Sequence, residues 1–94
     1  MSDLVSVQTI VYGCVQGVSF RDFTLRWAKE LGVVGYVRNL PDRTTVEIQA
    51  KGEKGKLEKL IEQLRLGPPG AEVEKVKISW HTHNDSYSRF SIRY

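Results

Sequence analysis

The sequence predicts an α+β sandwich, with two helices packed on one face of a mostly antiparallel sheet. Three observations lead there. Stretches rich in β-branched residues repeat with a two-residue period. Two other stretches switch to helical spacing. Glycine and proline punctuate the chain so that the order reads strand, helix, strand, strand, helix, strand, with one strand added at the end.

Val5, Val7, Thr9 and Val11 alternate with Ser6, Gln8, Ile10 and Tyr12, so the first strand spans about Val5 to Tyr12. From Phe20 the period changes. Phe20, Phe23, Thr24, Trp27, Ala28 and Leu31 share one helix face, Asp22, Arg26, Lys29 and Glu30 take the other, and Gly32 ends the helix. Sharing the buried stripe makes Trp27 a core residue rather than a ligand platform. Val33 to Asn39 is the second strand, with Gly35 where a side chain would obstruct a close neighbour. Pro41 and Asp42 turn the chain into a third strand, Thr45 to Lys51, which Gly52 breaks.

In the second helix Leu57, Leu60, Ile61 and Leu64 face inward, and Lys54, Glu58, Lys59, Glu62 and Arg65 form a solvated outer face. Gly67-Pro68-Pro69-Gly70 cannot continue it. A fourth strand runs from Glu72 to about Trp80, with Val76, Ile78 and Trp80 on one face and Val73 out of phase with Glu74. A polar loop, His81 to Ser86, leads to a last strand from Tyr87 to Arg93, whose Tyr87, Phe90 and Tyr94 are read as packing. This order is that of a ferredoxin-like α/β sandwich, βαββαβ plus a short C-terminal strand, with right-handed crossovers, the first and third strands adjacent and the second flanking the third.

At 94 residues the chain suffices for one core between a sheet and a helix pair. With 40% hydrophobic and 27% charged residues its composition is that of a soluble globular protein, not a disordered one. No apolar run approaches the roughly 18 to 20 residues of a membrane span, and Met1-Ser2-Asp3 lacks the start of a signal peptide, so a cytoplasmic protein is expected. One cysteine, Cys14, excludes an internal disulfide and an all-cysteine metal site. It reads as a spacer whose amide matters, the alternative being a thiol that poisons the neighbouring loop on oxidation. A net charge of +3 favours anionic ligands by steering but is too small to argue for nucleic acid.

The most informative stretch is Val11 to Arg21, which leaves an apolar strand and enters a helix. Gly13 and Gly17 permit backbone angles that turn successive amides toward one point. The helix start adds its dipole and its unpaired amides, and Arg21 brings a permanently charged fork of donors. As a helix-start residue its charge opposes the dipole, which favours a functional role. The stretch reads as an anion cradle, and its geometry leaves the ligand open among phosphate, sulfate and carboxylate.

The full string is narrower. Gly13-x-Val15-Gln16-Gly17-Val18-x-Phe20-Arg21 resembles the first signature of the acylphosphatase family, small enzymes that hydrolyse carboxyl-phosphate anhydrides, and meets each of its fixed positions. Gly35-Tyr36-Val37-Arg38-Asn39 resembles the second. Gly67 to Ala71 with Val73 and Val76, and the closing Phe90-x-Ile92-Arg93, also look like the family. One departure is the turn Asp42-Arg43-Thr44-Thr45, which lacks the family's Asp-Gly pair and is one residue longer.

The resemblance implies the same ferredoxin-like fold, residues 1–94 as one acylphosphatase-like domain, and a small acyl phosphate as substrate. It implies that Val15, Gln16, Gly17, Val18, Ser19, Phe20 and Arg21 hold the phosphoryl oxygens through loop amides and the Arg21 guanidinium. It implies that the Asn39 carboxamide orients the attacking water. Phosphate or sulfate would fit the same loop. No metal or other cofactor is implied, since the loop lacks the lysine and Ser/Thr of a nucleotide-binding P-loop. No nucleic-acid or membrane partner is expected, and a monomer is the default.

His81 and His83 are spaced to face one way on a strand, yet no third ligand accompanies them, and an exposed loop is the preferred reading. The rival from another class is a single-stranded RNA binder, because ferredoxin-like sheets serve that purpose with aromatics on central strands. The third strand here, Thr45 to Lys51, has none. A second rival is an idle module that holds carbamoyl phosphate for a partner.

Overall fold

The computed structural model describes residues 4–81 and 87–94. Its elements are β1 (Leu4–Cys14), α1 (Phe20–Leu31), β2 (Val34–Asn39), β3 (Thr45–Glu53), α2 (Lys54–Leu66), β4 (Glu72–His81) and β5 (Phe90–Arg93). They form one five-stranded sheet in the order β4-β1-β3-β2-β5. β1 pairs antiparallel with β3 and β4, β2 antiparallel with β3, and β2 parallel with β5. This is the ferredoxin-like arrangement, with β1 beside β3 and β2 on the far side of β3.

The two-residue period of the strands puts one set of side chains against the helices. Val7, Val11, Val37, Val46, Ile48 and Ala50 from the sheet meet Phe20 and Ala28 of α1 and Leu57, Leu60, Ile61 and Leu64 of α2, all of them buried. Each larger side chain so buried contributes about 1.5 to 3 kcal/mol of transfer free energy. The apolar stripes expected on both helices are therefore what the sheet covers. Trp27 is only half-buried at the edge of this core.

The other sheet face is polar and centred on Glu47. Its carboxylate accepts from Gln8 Nε2 at 2.8 Å, Arg38 Nε at 2.6 Å and the Tyr36 hydroxyl at 3.2 Å. Three donors compensate a carboxylate held almost out of water. Burial, and then the negative charge of Glu47, hold the Tyr36 phenol above its ordinary pKa.

Several boundaries differ from the sequence expectation. β1 runs two residues further, through Gly13 to Cys14, because β4 carries a bulge: Tyr12 faces Lys75 and Gly13 faces Val73, so Glu74 is the extra residue. That bulge is why Val73, three positions before Val76, packs against the same core. Gly13 is therefore a strand residue rather than a cradle hinge. A Cβ there would lie 2.1 Å from the Glu72 carbonyl oxygen, so the close approach of β4 demands glycine. Gly52 does not break the third strand, which continues to Glu53; it is buried against the Val33 side chain.

β2 begins at Val34 and β5 only at Phe90. Tyr87 lies outside β5 and meets the Tyr36 ring edge-on, with centroids 6.2 Å apart. Phe90 is buried as packing, but Tyr94 is 97% exposed. Trp80 shares the helix-side face of β4 yet stays 42% exposed at the sheet edge, with the Lys54 ammonium over its ring. His81 ends β4 rather than starting a loop, with Nε2 3.1 Å from Gln49 Nε2. His83, and with it the rest of the expected loop, lies outside the described residues. No helix among the described residues is long and apolar enough to cross a membrane.

The β2–β3 turn supplies without glycine what the sequence departure left open. Arg43 adopts the left-handed conformation at φ 67°, and the Asp42 carboxylate accepts from the Thr44 and Thr45 amides at 2.9 and 3.0 Å and from the Thr45 hydroxyl. Those bonds hold the Asp42 carboxyl below its ordinary pKa, the Thr45 hydroxyl contributing most.

Candidate functional site

β1, β2 and β5 all point the same way, since β1 and β2 are each antiparallel to β3 and β5 is parallel to β2. Their carboxyl ends therefore share one edge of the sheet. Val46 of β3 makes the level explicit: it faces Val11 of β1 on one side and Asn39 of β2 on the other. The loop leaving β1 thus emerges at the same sheet edge as Asn39, although the two are far apart in the sequence.

That loop turns at Gly17, φ 76°, and again at Ser19, φ 61° and ψ 27°. A left-handed conformation at a non-glycine residue costs on the order of 1 kcal/mol and tends to persist where function requires it. Ser19 is also the residue before α1, and its side chain makes no capping bond. The first bond of the helix runs from the Phe23 amide to the Ser19 carbonyl, so the amides ahead of it are those a helix start leaves unpaired. The arrangement presents main-chain N–H groups and the positive end of the α1 dipole together.

A cavity of about 270 Å³ opens here, lined by Val15, Gly17, Ser19, Phe20, Arg21 and Asp22 from the loop and α1, by Asn39, and by Ile92 and Tyr94. Arg21 and Asn39 are brought to the same hollow. Among the described residues Arg21 has no carboxylate partner, and its guanidinium carbon lies 4.7 Å from the centroid of the Tyr94 ring. A cation without a counter-ion, facing a cavity whose wall is mostly polar, suits a small oxyanion.

Gln16 and Val18, expected to offer their main-chain amides to the cradle, place their side chains elsewhere. The Gln16 side chain turns instead to the β2–β3 hairpin, where Nε2 donates to the Leu40 carbonyl at 3.0 Å and to the Thr45 carbonyl at 2.8 Å. Val18 packs against the core. Cys14 is exposed and pairs with Glu72 at the end of the sheet, so its amide sits in the ladder.

Three lining residues escaped the sequence reading. Ile92 and Tyr94 reach the site because β5 lies parallel to β2, a pairing with no local signal. Asp22 had a signal, its place directly after Arg21, but its helix face reads as solvent. No cluster of three or more metal-ligating side chains exists among the described residues.

A five-stranded sheet covered by two helices, with a hollow where Arg21 and Asn39 meet, is a small α+β protein of the ferredoxin-like class. Comparison with known proteins makes the class specific. The acylphosphatase family model matches residues 7–92. An acylphosphatase of Dehalococcoides mccartyi is 47% identical over 88 residues, covering 94% of this chain and 97% of its own length. Among solved structures, an acylphosphatase from Coxiella burnetii superposes with a TM-score of 0.90 at 37% identity, covering 97% of this chain and 94% of that one. The crystal structure of acylphosphatase from Bacillus subtilis gives 0.92 at 33% identity, covering 96% and 99%. The chain belongs to the acylphosphatase family.

Proposed function

We propose that this chain is a hydrolase of small acyl phosphates, cleaving the carboxyl–phosphate bond to a carboxylate and inorganic phosphate, with residues 15–21 and Asn39 as its machinery. The observation that carries the reading is the joint placement of Asn39 and of Arg21, which has no carboxylate partner among the described residues, on one cavity at the end of an amide-bearing loop.

The substrate explains why so little acid–base equipment is needed. Its leaving group is a carboxylate whose conjugate acid has a pKa around 4, so no protein acid has to protonate it. Phosphoryl transfer passes through a loose transition state, and the protein's work is to position reactants and stabilise charge on the equatorial oxygens. The amides of Val15 to Arg21 and the Arg21 guanidinium take those oxygens. Asn39 accepts one hydrogen of the water and aims its oxygen at phosphorus, adding no negative charge beside a dianion. The P–O bond to the acyl group breaks as the new P–O bond forms, and the water's proton passes to the phosphate oxygens.

Steady-state hydrolysis of benzoyl phosphate in the presence of EDTA, set against p-nitrophenyl phosphate, tests the reading. Turnover of the anhydride alone is expected. Binding of inorganic phosphate without turnover of benzoyl phosphate would make the chain an idle module and end the proposal.

A further inference from the structure

The Tyr94 ring sits against the Arg21 guanidinium, whose carbon is 4.7 Å from the ring centroid. Both residues line the hollow. Register explains how they meet: β5 runs parallel to β2 with Arg93 opposite Arg38, so Tyr94 and Asn39 each follow that pair by one residue at the same sheet edge. α1 packs against β5, which brings Arg21 of its first turn to that edge. Arg21 has no carboxylate partner among the described residues, and Tyr94 is 97% exposed, so the core does not hold its ring in place. What the ring does touch is the guanidinium, and an electron-rich ring face attracts such a cation.

We infer that Tyr94 is a positioning residue, its ring holding the Arg21 guanidinium ready for the phosphoryl oxygens. The inference rests on the acylphosphatase reading above, in which Arg21 takes those oxygens. A long arginine side chain has many rotamers to lose when it closes on an anion, and narrowing them beforehand lowers that cost. Cation–π pairs at exposed sites are weak, so the gain in anion affinity is about two- to fivefold. The ring acts on the free protein, before the anion arrives, and ground and transition states share the benefit. KM and the phosphate dissociation constant therefore move together, with kcat nearly unchanged.

The test compares Tyr94→Leu, which keeps an apolar side chain without a π face, with Tyr94→Phe, which keeps the face. Calorimetric titration with inorganic phosphate, which has no acyl group to stack on a ring, is expected to show a dissociation constant raised about two- to fivefold in Tyr94→Leu and restored in Tyr94→Phe. With acetyl phosphate, KM should rise by the same factor at nearly constant kcat. The difference in kcat/KM between the two variants should vanish when each is combined with Arg21→Gln, because the ring then has no guanidinium to hold. A wild-type phosphate constant in Tyr94→Leu, an equal loss in Tyr94→Phe, or a difference that persists in the Arg21→Gln background would each overturn the inference. Phosphate binding by a wild-type chain that leaves acetyl and benzoyl phosphate intact would end the enzymatic reading alone, and the phosphate constants would still decide for or against Tyr94.

Discussion

Gln16 Nε2 stands 2.8 Å from the Thr45 carbonyl oxygen and also donates to the Leu40 carbonyl, so one side chain ties the loop after β1 to the hairpin whose first strand ends in Asn39. The loop that would hold phosphate and the strand that would hold water are thereby set at a fixed spacing. Gln16→Ala is expected to lower kcat by about 10- to 100-fold, the effect of misplacing reacting groups by about an ångström, while the inhibition constant for phosphate stays within about threefold. Losing two hydrogen bonds to backbone carbonyls should also cost about 1 to 3 kcal/mol in urea denaturation. A phosphate constant that rises as far as kcat falls would mean that Gln16 shapes the cradle itself.

Arg21→Gln and Asn39→Ala should fail differently. Arg21→Gln removes charge from both ground and transition states, so turnover falls by about 10² to 10³ and phosphate inhibition weakens with it. Asn39→Ala removes only the partner of water, so kcat falls while phosphate still competes. Benzoyl phosphate kinetics with phosphate as competitor separate the two, and full turnover by Asn39→Ala would remove it from the mechanism.

Gly35 lies at φ 139° with no room for a side chain: a Cβ there would fall 1.8 Å from the Gln49 carbonyl oxygen. Gly35→Ala must push β2 away from β3 near the end of the strand opposite Asn39, and a loss of at least about 3 kcal/mol is expected from overpacking and backbone strain together. Gly55, near the start of α2, has nothing within 4 Å of its would-be Cβ. Gly55→Ala should stabilise by about 0.5 kcal/mol. Chemical denaturation of both variants checks the contrast, which depends on geometry and not on residue type.

Tyr36 makes stability fall at alkaline pH. Its folded pKa is raised, by burial first and then by Glu47, above the value near 10 of an unfolded tyrosine. The contribution is complete below about pH 10 and is lost as pH rises through the folded pKa, because there the unfolded chain has released a proton that the folded one keeps. Urea midpoints measured at pH values on either side of about 10 should decline more steeply for the wild type than for Tyr36→Phe. Equal slopes would show that the phenol does not titrate differently on folding.

Thr9 is buried, and its hydroxyl has no hydrogen-bond partner among the described residues. It lies opposite Ile48 of β3 and Ile78 of β4, so a methyl group in place of the hydroxyl would meet apolar surroundings. Thr9→Val is expected to stabilise the fold by about 1 kcal/mol, seen as a higher melting temperature with the same kinetics.

What the sequence determined by itself is local. Periods of two and of 3.6 residues are set by backbone geometry within a few positions, so the strand and helix order, the buried faces of α1 and α2, and the ferredoxin-like arrangement were legible without any contact map. That Arg21 and Asn39 belong to two motifs of one family was legible too, and the fold brings both to one hollow. The tertiary structure decided what depends on how distant segments meet. Gly13 reads as a loop hinge until β4 is laid beside it. The Gln16 side chain finds its partners only when β3 arrives from 29 positions away. Ile92, Tyr94 and Asp22 become cavity walls only once β5 takes its place parallel to β2 and α1 is oriented on the sheet. The bulge in β4 and the seat of β5 beside β2 are products of the whole core closing at once, and no short stretch of chain encodes them.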